Sequence, residues 1–322
     1  MLSRFVARHA TVLLFAGVFG FAATAAQAAS TAYVPNEKSG SVSVIDTERD
    51  VVIATWPTGG KPRGVATSSD GTRLYVSDQA SNALLVLDLA HGGAIERRIA
   101  LGESPEGIAV SSDGSWLAAA SEVSNAVLLI DLVRGNVAAT ISTQGKNPEH
   151  AVFSPDSRWL YVSAEEGSEV DVIDVAARRE VTSIEVGRRP RGIAFTPDGQ
   201  RAYVACELDS AVYAIAVPAH KVLARIPAGE FSNGLAMHPG GRELYVSNGR
   251  GGSVSVVDVV NNQVVATVAV GQRPWNMALT PSGDKLYVAN GRSNSVSVID
   301  TRRRSRIADV AVGELPWGVA IR

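Results

Sequence analysis

The sequence has 322 residues, of which 46% are hydrophobic and 19% charged, a composition that supports a large buried core and excludes an intrinsically disordered protein. Its net charge of −2 and its lack of a long basic tract argue against nucleic acid or an anionic membrane surface as partner. Cys206 is the single cysteine, which excludes an internal disulfide, and the absence of Cys-x-x-Cys-His excludes a covalently attached c-type haem.

Residues 1–28 are predicted to be a secretory signal peptide. Arg4 and Arg8 precede an apolar run from Thr11 to Ala23, and Ala26-Gln27-Ala28 is a small-x-small cleavage pattern. The apolar run is shorter than the roughly 20 residues that a spanning helix needs, so cleavage is favoured over an uncleaved membrane anchor. We therefore expect a periplasmic or secreted protein of residues 29–322, with no membrane span after cleavage.

A repeat of 42 or 43 residues fills the remainder of the chain. The motif Leu-Tyr-Val and its variants recur at Tyr33, Tyr75, Ala118, Tyr161, Tyr203, Tyr245 and Tyr287. Each unit holds four short β-rich segments separated by turn residues, with period-two alternation clearest in Ser295 to Ile299. Four strands in about 42 residues is the size of one β-propeller blade, so the seven units predict seven blades.

The two ends of the repeat array are predicted to form one blade together. The chain begins at the second strand of a unit, Thr31 to Pro35, and finishes with a first strand, Pro316 to Arg322. An open solenoid is the alternative, but it needs polar capping repeats, and the first and last units are as regular as the middle ones. The predicted fold is all-β: a closed seven-bladed β-propeller with four-stranded blades, one of them shared between the N- and C-terminal strands.

The repeat motif resembles that of the YVTN-family β-propeller proteins. Tyr245-Val246-Ser247-Asn248 and Tyr287-Val288-Ala289-Asn290 are each followed by Ser-Val-Ser-Val-Ile/Val-Asp, and related segments occur in all seven units. The resemblance implies a seven-bladed propeller.

Shorter segments resemble one subgroup of that family, associated with pyrroloquinoline-quinone-dependent alcohol catabolism. These are Tyr33 to Lys38, Pro105-Glu106-Gly107, Ser121-Glu122 and Pro316 to Val319. The resemblance implies a periplasmic role accessory to quinoprotein-dependent alcohol oxidation. Quinoprotein dehydrogenases have eight tryptophan-docked blades and an adjacent-cysteine disulfide, and this sequence has neither, so direct binding of pyrroloquinoline quinone is disfavoured. We expect no cofactor.

Candidate site residues are those that depart from the repeat on one face of the ring. In a four-stranded blade, the loop before the innermost strand and the loop between the second and third strands emerge together around the channel mouth. Reading both loops around the ring gives the candidates Glu37, Arg63, Glu106, Glu122, Glu149, His150, Glu165, Arg191, Asn233, Arg250, Trp275, Arg292 and Trp317, with Asp78 and Glu207 at the same loop positions. By contrast, aspartates such as Asp46 and Asp131 recur at the end of third strands and are interpreted as turn-capping residues.

Several of the candidates have two interpretations. Glu149 and His150 are weak candidates for a metal site or an acid/base pair, but a solvated histidine is favoured because no second histidine is expected nearby. Trp275 and Trp317 either form an aromatic platform for a ligand or pack against neighbouring blades. Cys206 is either a free thiol on the same face or a small buried filler.

Two function classes remain open. We expect a non-enzymatic binding or scaffold protein, a monomer whose channel mouth takes a periplasmic protein or a small molecule, because no recognisable catalytic constellation is present. The alternative is a lactonase-like hydrolase with an acidic and histidine site at the channel mouth, using Glu122, Glu149, His150 and Arg191, because seven-bladed lactonases have a similar repeat. A third hypothesis is a surface interaction protein that uses the rim alone.

Overall fold

The computed structural model describes Met1 and residues 30–322, and the predicted signal peptide lies outside these residues except for Met1. Residues 30–322 form seven four-stranded antiparallel sheets arranged as a seven-bladed β-propeller. The only helix in this range is the single 3₁₀ turn Glu207–Asp209. Among the described residues, no helix has the length and apolar character to cross a bilayer.

The strands are numbered in chain order, and each blade is given from its innermost to its outermost strand. Blades 1 and 2 contain β28 (Ala320–Ile321), β1 (Thr31–Asn36), β2 (Ser41–Asp46), β3 (Val51–Pro57); and β4 (Pro62–Thr67), β5 (Arg73–Asp78), β6 (Ala83–Asp88), β7 (Ala94–Ala100). Blades 3 to 5 contain β8 (Pro105–Val110), β9 (Trp116–Ser121), β10 (Ala126–Asp131), β11 (Asn136–Ser142); β12 (Pro148–Phe153), β13 (Trp159–Ala164), β14 (Glu169–Asp174), β15 (Arg179–Glu185); and β16 (Pro190–Phe195), β17 (Arg201–Cys206), β18 (Ala211–Ala216), β19 (Lys221–Pro227). Blades 6 and 7 contain β20 (Ser232–Met237), β21 (Glu243–Asn248), β22 (Ser253–Asp258), β23 (Gln263–Ala269); and β24 (Pro274–Leu279), β25 (Lys285–Asn290), β26 (Ser295–Asp300), β27 (Ser305–Ala311).

The core lies between neighbouring blades, where the two faces of adjacent sheets meet. At the interface of blades 6 and 7, Val254 and Val256 pack with Met277 and Val288, and the repeat tyrosine Tyr245 is fully buried with them. The middle two strands of each blade are buried on both faces, which explains their nearly continuous apolar runs. Burial of one such side chain contributes about 1.5–3 kcal/mol, so the repeated interfaces hold the ring together.

The turns between third and fourth strands confirm the interpretation of the recurring aspartates. Asp131 Oδ1 accepts hydrogen bonds from the backbone N–H groups of Val133 and Arg134 at 3.0 and 2.8 Å. These bonds, together with the side chain of Arg134, lower the pKa of Asp131. Asp46 accepts the N–H of Glu48 in the same way at 2.9 Å. These aspartates therefore serve the fold.

The predicted ring closure is confirmed. β28 pairs antiparallel with β1, with Ala320 opposite Tyr33 and Ile321 opposite Ala32. The backbones of Thr31 and Arg322 exchange two N–H···O=C bonds of 3.1 Å each. The last segment of the chain therefore supplies the innermost strand of a blade whose other three strands come from its beginning.

Deleting Leu315 to Arg322 is expected to lower the Tm by at least about 10 °C, because the deletion exposes the edge of β1 and opens the ring. Thermal unfolding followed by circular dichroism measures the change. The matched control is Arg322→Ala, which removes the guanidinium contact to the Gly71 carbonyl but keeps the strand pairing. An unchanged Tm after the deletion would contradict closure by this strand.

Candidate functional site

A break in the regular pairing of the innermost strands directs two residues of each blade towards the channel. In β8 the register with β9 shifts between Pro105 and Ile108, and in β12 the register with β13 shifts between Pro148 and Ala151. The residues inside these shifts, among them Glu106 and Glu149, leave the hydrogen-bonded ladder. Irregularities of this kind commonly re-aim side chains next to functional sites.

The side chains aimed in this way surround a cavity of about 220 Å³ at one end of the channel, referred to here as the channel-mouth cavity. It is lined by Glu37, Arg63, Glu106, Glu122, Glu149, Glu165, Arg189, Arg191, Asn233, Arg273, Trp275, Asn276 and Trp317. Ten of these thirteen residues were sequence candidates. The cavity is charged on the side of blades 1 to 5 and aromatic at Trp275 and Trp317.

Arg191 connects three carboxylates at the centre of the charged side. Its Nη1 lies 2.6 Å from Glu149 Oε1 and 3.0 Å from Glu165 Oε2, and its Nε donates to Glu207 at 3.1 Å. Burial lowers the pKa of Arg191, but the attraction of the three carboxylates outweighs burial and holds that pKa above its usual value. Arg191 is therefore a fixed positive charge.

Glu207 lies beneath this network and is fully buried. Burial raises its pKa, but the opposing effect of Arg191, Arg273 and Arg189 is larger, so the pKa of Glu207 is lowered. Arg273 Nη2 donates to Glu207 at 2.8 Å, and Arg189 also contacts Glu165. Glu207 is thus an ionised anchor for three guanidinium groups.

A second set of contacts surrounds Arg63. Its guanidinium contacts Glu106 and lies 3.2 Å from a carboxylate oxygen of Glu37. Gln79 donates to the same oxygen of Glu106 at 2.9 Å. The other oxygen, Oε2, is buried and has no hydrogen-bond partner within residues 30–322.

Glu106 and Glu122 are neighbouring carboxyl groups of the cavity, and the pKa of Glu106 is shifted. Burial, and then the negative charge of Glu149, raise the pKa of Glu106 well above its usual value, although Arg63 opposes them. The nearby carboxylate of Glu122 adds to this rise, which favours the protonated form of Glu106. Glu122 also accepts a hydrogen bond of 2.8 Å from the Ser104 hydroxyl. Within residues 30–322, Glu122 is the one cavity carboxylate without an arginine partner.

His150 lies behind Trp317 rather than among the carboxylates. The two rings stack, with centroids 5.4 Å apart and planes 16° from parallel, and Trp317 but not His150 belongs to the described cavity lining. Burial, helped by the positive charge of Arg191, lowers the pKa of His150 to about 4. Both ring nitrogens are buried without a hydrogen-bond partner in residues 30–322. The expectation of a solvated histidine is therefore wrong, because His150 is a neutral ring buried against Trp317.

The carboxylates of Glu122, Glu149 and Glu165 converge, with one oxygen of each within 4.8 Å of the others. This spacing suits a hard cation in principle. However, Arg191 Nη1 already contacts both Glu149 and Glu165, so a guanidinium supplies the positive charge that a metal ion would bring. The donor set therefore does not fit a resident metal ion.

Two sequence candidates were wrong in their placement. Arg250 and Arg292 lie one residue beyond the loop position that faces the channel, and both are exposed at the outer rim. Arg250 stacks over Phe231 at 4.2 Å and pairs with Glu230 at 3.4 Å. Asp78 ends β5, one residue before Gln79, which holds the loop position of Glu37 and Glu122; Asp78 caps the turn at Lys61, whose N–H it accepts at 2.6 Å.

The arginines that do enter the cavity, Arg189 and Arg273, were missed. Each precedes the proline that opens an innermost strand, and each has a positive φ, 58° for Arg189 and 53° for Arg273. This left-handed turn directs the side chain to the channel. The signal in the sequence was the Arg-Pro pair at both places, with uncharged residues such as Ser104 and Asn147 at the equivalent positions.

Cys206 is fully buried at the end of β17, and burial raises the pKa of its thiol to about 12. It is a filler of the core rather than a reactive thiol. Larger grooves of about 490 and 500 Å³ lie at the opposite end of the blades, but they are lined by the recurring turns at Pro155, Pro197 and Pro239. Residues that recur with the repeat serve the fold, so the channel-mouth cavity is the candidate site.

Comparison with known proteins identifies the family. The lactonase, seven-bladed β-propeller family matches residues 21–138 and 176–310, and the chain belongs to this family. The unmatched residues 139–175 contain Glu149, His150 and Glu165, so these site residues are not carried by the family match. A search of curated proteins finds no match.

Three solved structures are similar over most of their length. Hydrazine synthase of Kuenenia stuttgartiensis is 27% identical, with a TM-score of 0.77, covering 84% of this chain and 92% of that one. A functionally unknown protein from Desulfotomaculum acetoxidans is 16% identical, with a TM-score of 0.82 and coverage of 90% and 98%. A candidate 6-phosphogluconolactonase from Bacteroides uniformis is 19% identical, with a TM-score of 0.78 and coverage of 92% and 100%. The last two show the fold alone.

Replacing Arg191 by Met is expected to destabilise the protein by about 3–5 kcal/mol at pH 8, because the carboxylates of Glu149, Glu165 and Glu207 lose their common partner. Without the guanidinium, the pKa of Glu165, which burial already raises, rises further above its value in the unfolded chain. The folded state then binds more protons, so stability recovers as the pH falls towards 5.

Urea unfolding of the Arg191→Met variant at pH 5 and pH 8 measures this difference. The matched control is Arg250→Met, which breaks an exposed pair and should cost no more than about 1 kcal/mol at either pH. Equal losses of unfolding free energy in the two variants would show that the network around Arg191 stabilises the protein no more than an exposed ion pair does.

Proposed function

We propose that this protein is a lactone hydrolase that works at the channel-mouth cavity. The carrying observation is that Glu106 and Glu122 line one cavity together with guanidinium groups: the pKa of Glu106 is raised by burial, and Glu122 has no arginine partner among the described residues. Membership of the lactonase, seven-bladed β-propeller family supports this function over a purely structural role.

In the proposed reaction, Glu122 is the general base and Glu106 is the general acid. The carboxylate of Glu122 takes a proton from a water molecule as the water oxygen attacks the lactone carbonyl carbon. Glu106 donates its proton to the ring oxygen as the carbon–oxygen bond breaks, so the ring opens to a hydroxy acid. Glu106 then recovers a proton by way of Glu122, and the new carboxylic acid loses its proton to solvent.

Charge around the pair favours both the reaction and product release. Arg63 stays paired with Glu37 and Glu106 and does not bind the oxyanion directly, but its nearby positive charge favours the negative charge that develops on the carbonyl oxygen. The product is a carboxylate in a cavity that already holds Glu37, Glu149 and Glu165. Like-charge repulsion is expected to speed its departure.

Glu122→Gln and Glu106→Gln are each expected to lower kcat for a δ-lactone by about 10²–10⁴-fold, because each removes one half of the acid/base pair. A pH-indicator assay that follows acid release measures the rate. Activity should fall as the pH rises through the raised pKa of Glu106, because the general acid then loses its proton.

The control variant is Glu230→Gln, an exposed glutamate that pairs with Arg250 at the outer rim and should leave kcat unchanged. Circular dichroism checks that all three variants fold. If the wild-type protein opens no lactone, or if the two cavity variants retain full activity, the proposal is wrong.

A second candidate function is that of an exported binding or scaffold protein accessory to quinoprotein-dependent alcohol oxidation. One observation favours it: the segments that resemble the pyrroloquinoline-quinone-associated subgroup supply Glu37, Glu106, Glu122 and Trp317, which all line the cavity. Under this function the cavity holds a small molecule or a partner without converting it. Export would place the protein in the periplasm or outside the cell.

Expression with the native N-terminus tests the export step. Intact mass spectrometry of the protein from the periplasmic fraction should give the mass of a chain that starts at Ala29. Retention of residues 1–28 in the cytoplasmic fraction would contradict export.

A further inference from the structure

Carboxylates outnumber guanidinium groups at the channel mouth. Five glutamates and four arginines line the cavity, and Glu207 lies directly beneath, so six carboxylates face four guanidinium groups. Protonation of Glu106, and even of Glu165, whose pKa is raised by burial, brings the balance only to four against four. The cavity therefore carries no net positive charge in any of these states.

Each arginine is also already committed to carboxylates. Arg63 contacts Glu37 and Glu106, and Arg273 donates to Glu207. Arg189 and Arg191 share Glu165 and Glu207. A phosphate needs donors and positive charge of its own. To bind here, it would have to displace a buried carboxylate from its guanidinium partner, which is strongly unfavourable.

The opposite side of the cavity offers a flat apolar surface. Trp275 is half-buried and lines the cavity beside Trp317. The Trp275 ring rests on Gly291, where a Cβ would approach the ring to 2.5 Å, so the glycine allows this ring position. The amides of Asn233 and Asn276 complete the lining with neutral donors and acceptors.

We infer that the ligand of this cavity is an uncharged, polyhydroxylated molecule with a single sugar ring, namely an unphosphorylated sugar lactone. The inference rests on the proposed function, because it names the substrate class of the same site. The flat face of the ring stacks on Trp275, and its hydroxyl groups donate to the surplus carboxylates and exchange hydrogen bonds with the asparagines. The volume of about 220 Å³ is smaller than the range of about 300–1,000 Å³ usual for drug-sized ligands, which suits a single ring.

Binding and turnover are measured separately, so that failure of the inference differs from failure of the proposed function. Isothermal titration calorimetry uses D-glucono-δ-lactam, a ring amide that resists hydrolysis, and its 6-phosphate. The neutral lactam is expected to bind at least about tenfold more tightly, because the phosphate adds about two negative charges to an acidic cavity. Equal or tighter binding of the phosphate, or no binding of the neutral lactam, would overturn the inference.

Turnover of D-glucono-δ-lactone and its 6-phosphate gives the second measurement. Lactam binding without turnover of either lactone would overturn the hydrolase and leave the ligand class standing. Faster turnover of the phosphorylated lactone would overturn the ligand class and leave the hydrolase standing. In the expected case, kcat/KM is at least about tenfold higher for the neutral lactone.

Variants test the two sides of the cavity. Trp275→Ala should weaken lactam binding about tenfold, whereas Trp275→Phe keeps a flat ring and should bind within about threefold of the wild type. Trp159→Ala, at the start of β13 and therefore at the other end of its blade, is the control and should bind normally. Glu37→Gln removes one negative charge from the rim and should narrow the gap between the neutral and the phosphorylated lactam. An unchanged difference in affinity between the two lactams in Glu37→Gln would contradict the charge argument. Equal losses of lactam affinity in Trp275→Ala and Trp275→Phe would contradict the stacking argument.

Discussion

The pairing of β28 with β1 is the constraint on which the rest of the molecule depends. Each blade buries both of its faces against its neighbours. The first and last blades therefore have a buried face on each side only when the ring is closed. Two backbone hydrogen bonds between Thr31 and Arg322 complete this return. The cavity is a product of the same closure, because Glu37, Arg191 and Trp317 are far apart in the chain and meet only in a closed ring.

The charged side of the cavity is stable because its charges satisfy one another. Burying the charge of Glu207 alone would strongly destabilise the fold. Three arginines contact its carboxylate, and their attraction offsets the cost of burial and holds the side chains in place. Glu106 and Glu122 lie beside this network. Burial of Glu106 and the negative charge of Glu149 raise the pKa of Glu106 although Arg63 opposes them, and a raised pKa favours the protonated form that an acid catalyst needs.

The sequence predicted the fold to the level of single strands. The reason is that each repeat of about 42 residues has the same local features: an opening proline, apolar strand centres and a turn-capping aspartate such as Asp131. The site followed only in part. Counting along loops placed Glu106, Glu149 and Arg191 correctly, since they occupy equivalent positions in the repeat. The same counting misplaced Arg250 and Arg292 by one residue, and it overlooked Arg189 and Arg273 because the left-handed turn before the proline directs their side chains to the channel. Contacts across the ring, such as that between His150 and Trp317, have no counterpart in a period of 42 and were not predictable from it.

The stack of His150 on Trp317 joins blade 4 to the terminal segment of blade 1, on opposite sides of the channel. Because the two rings belong to distant blades, their contact resists distortion of the propeller: any change that moved blade 4 away from blade 1 would first have to separate the rings.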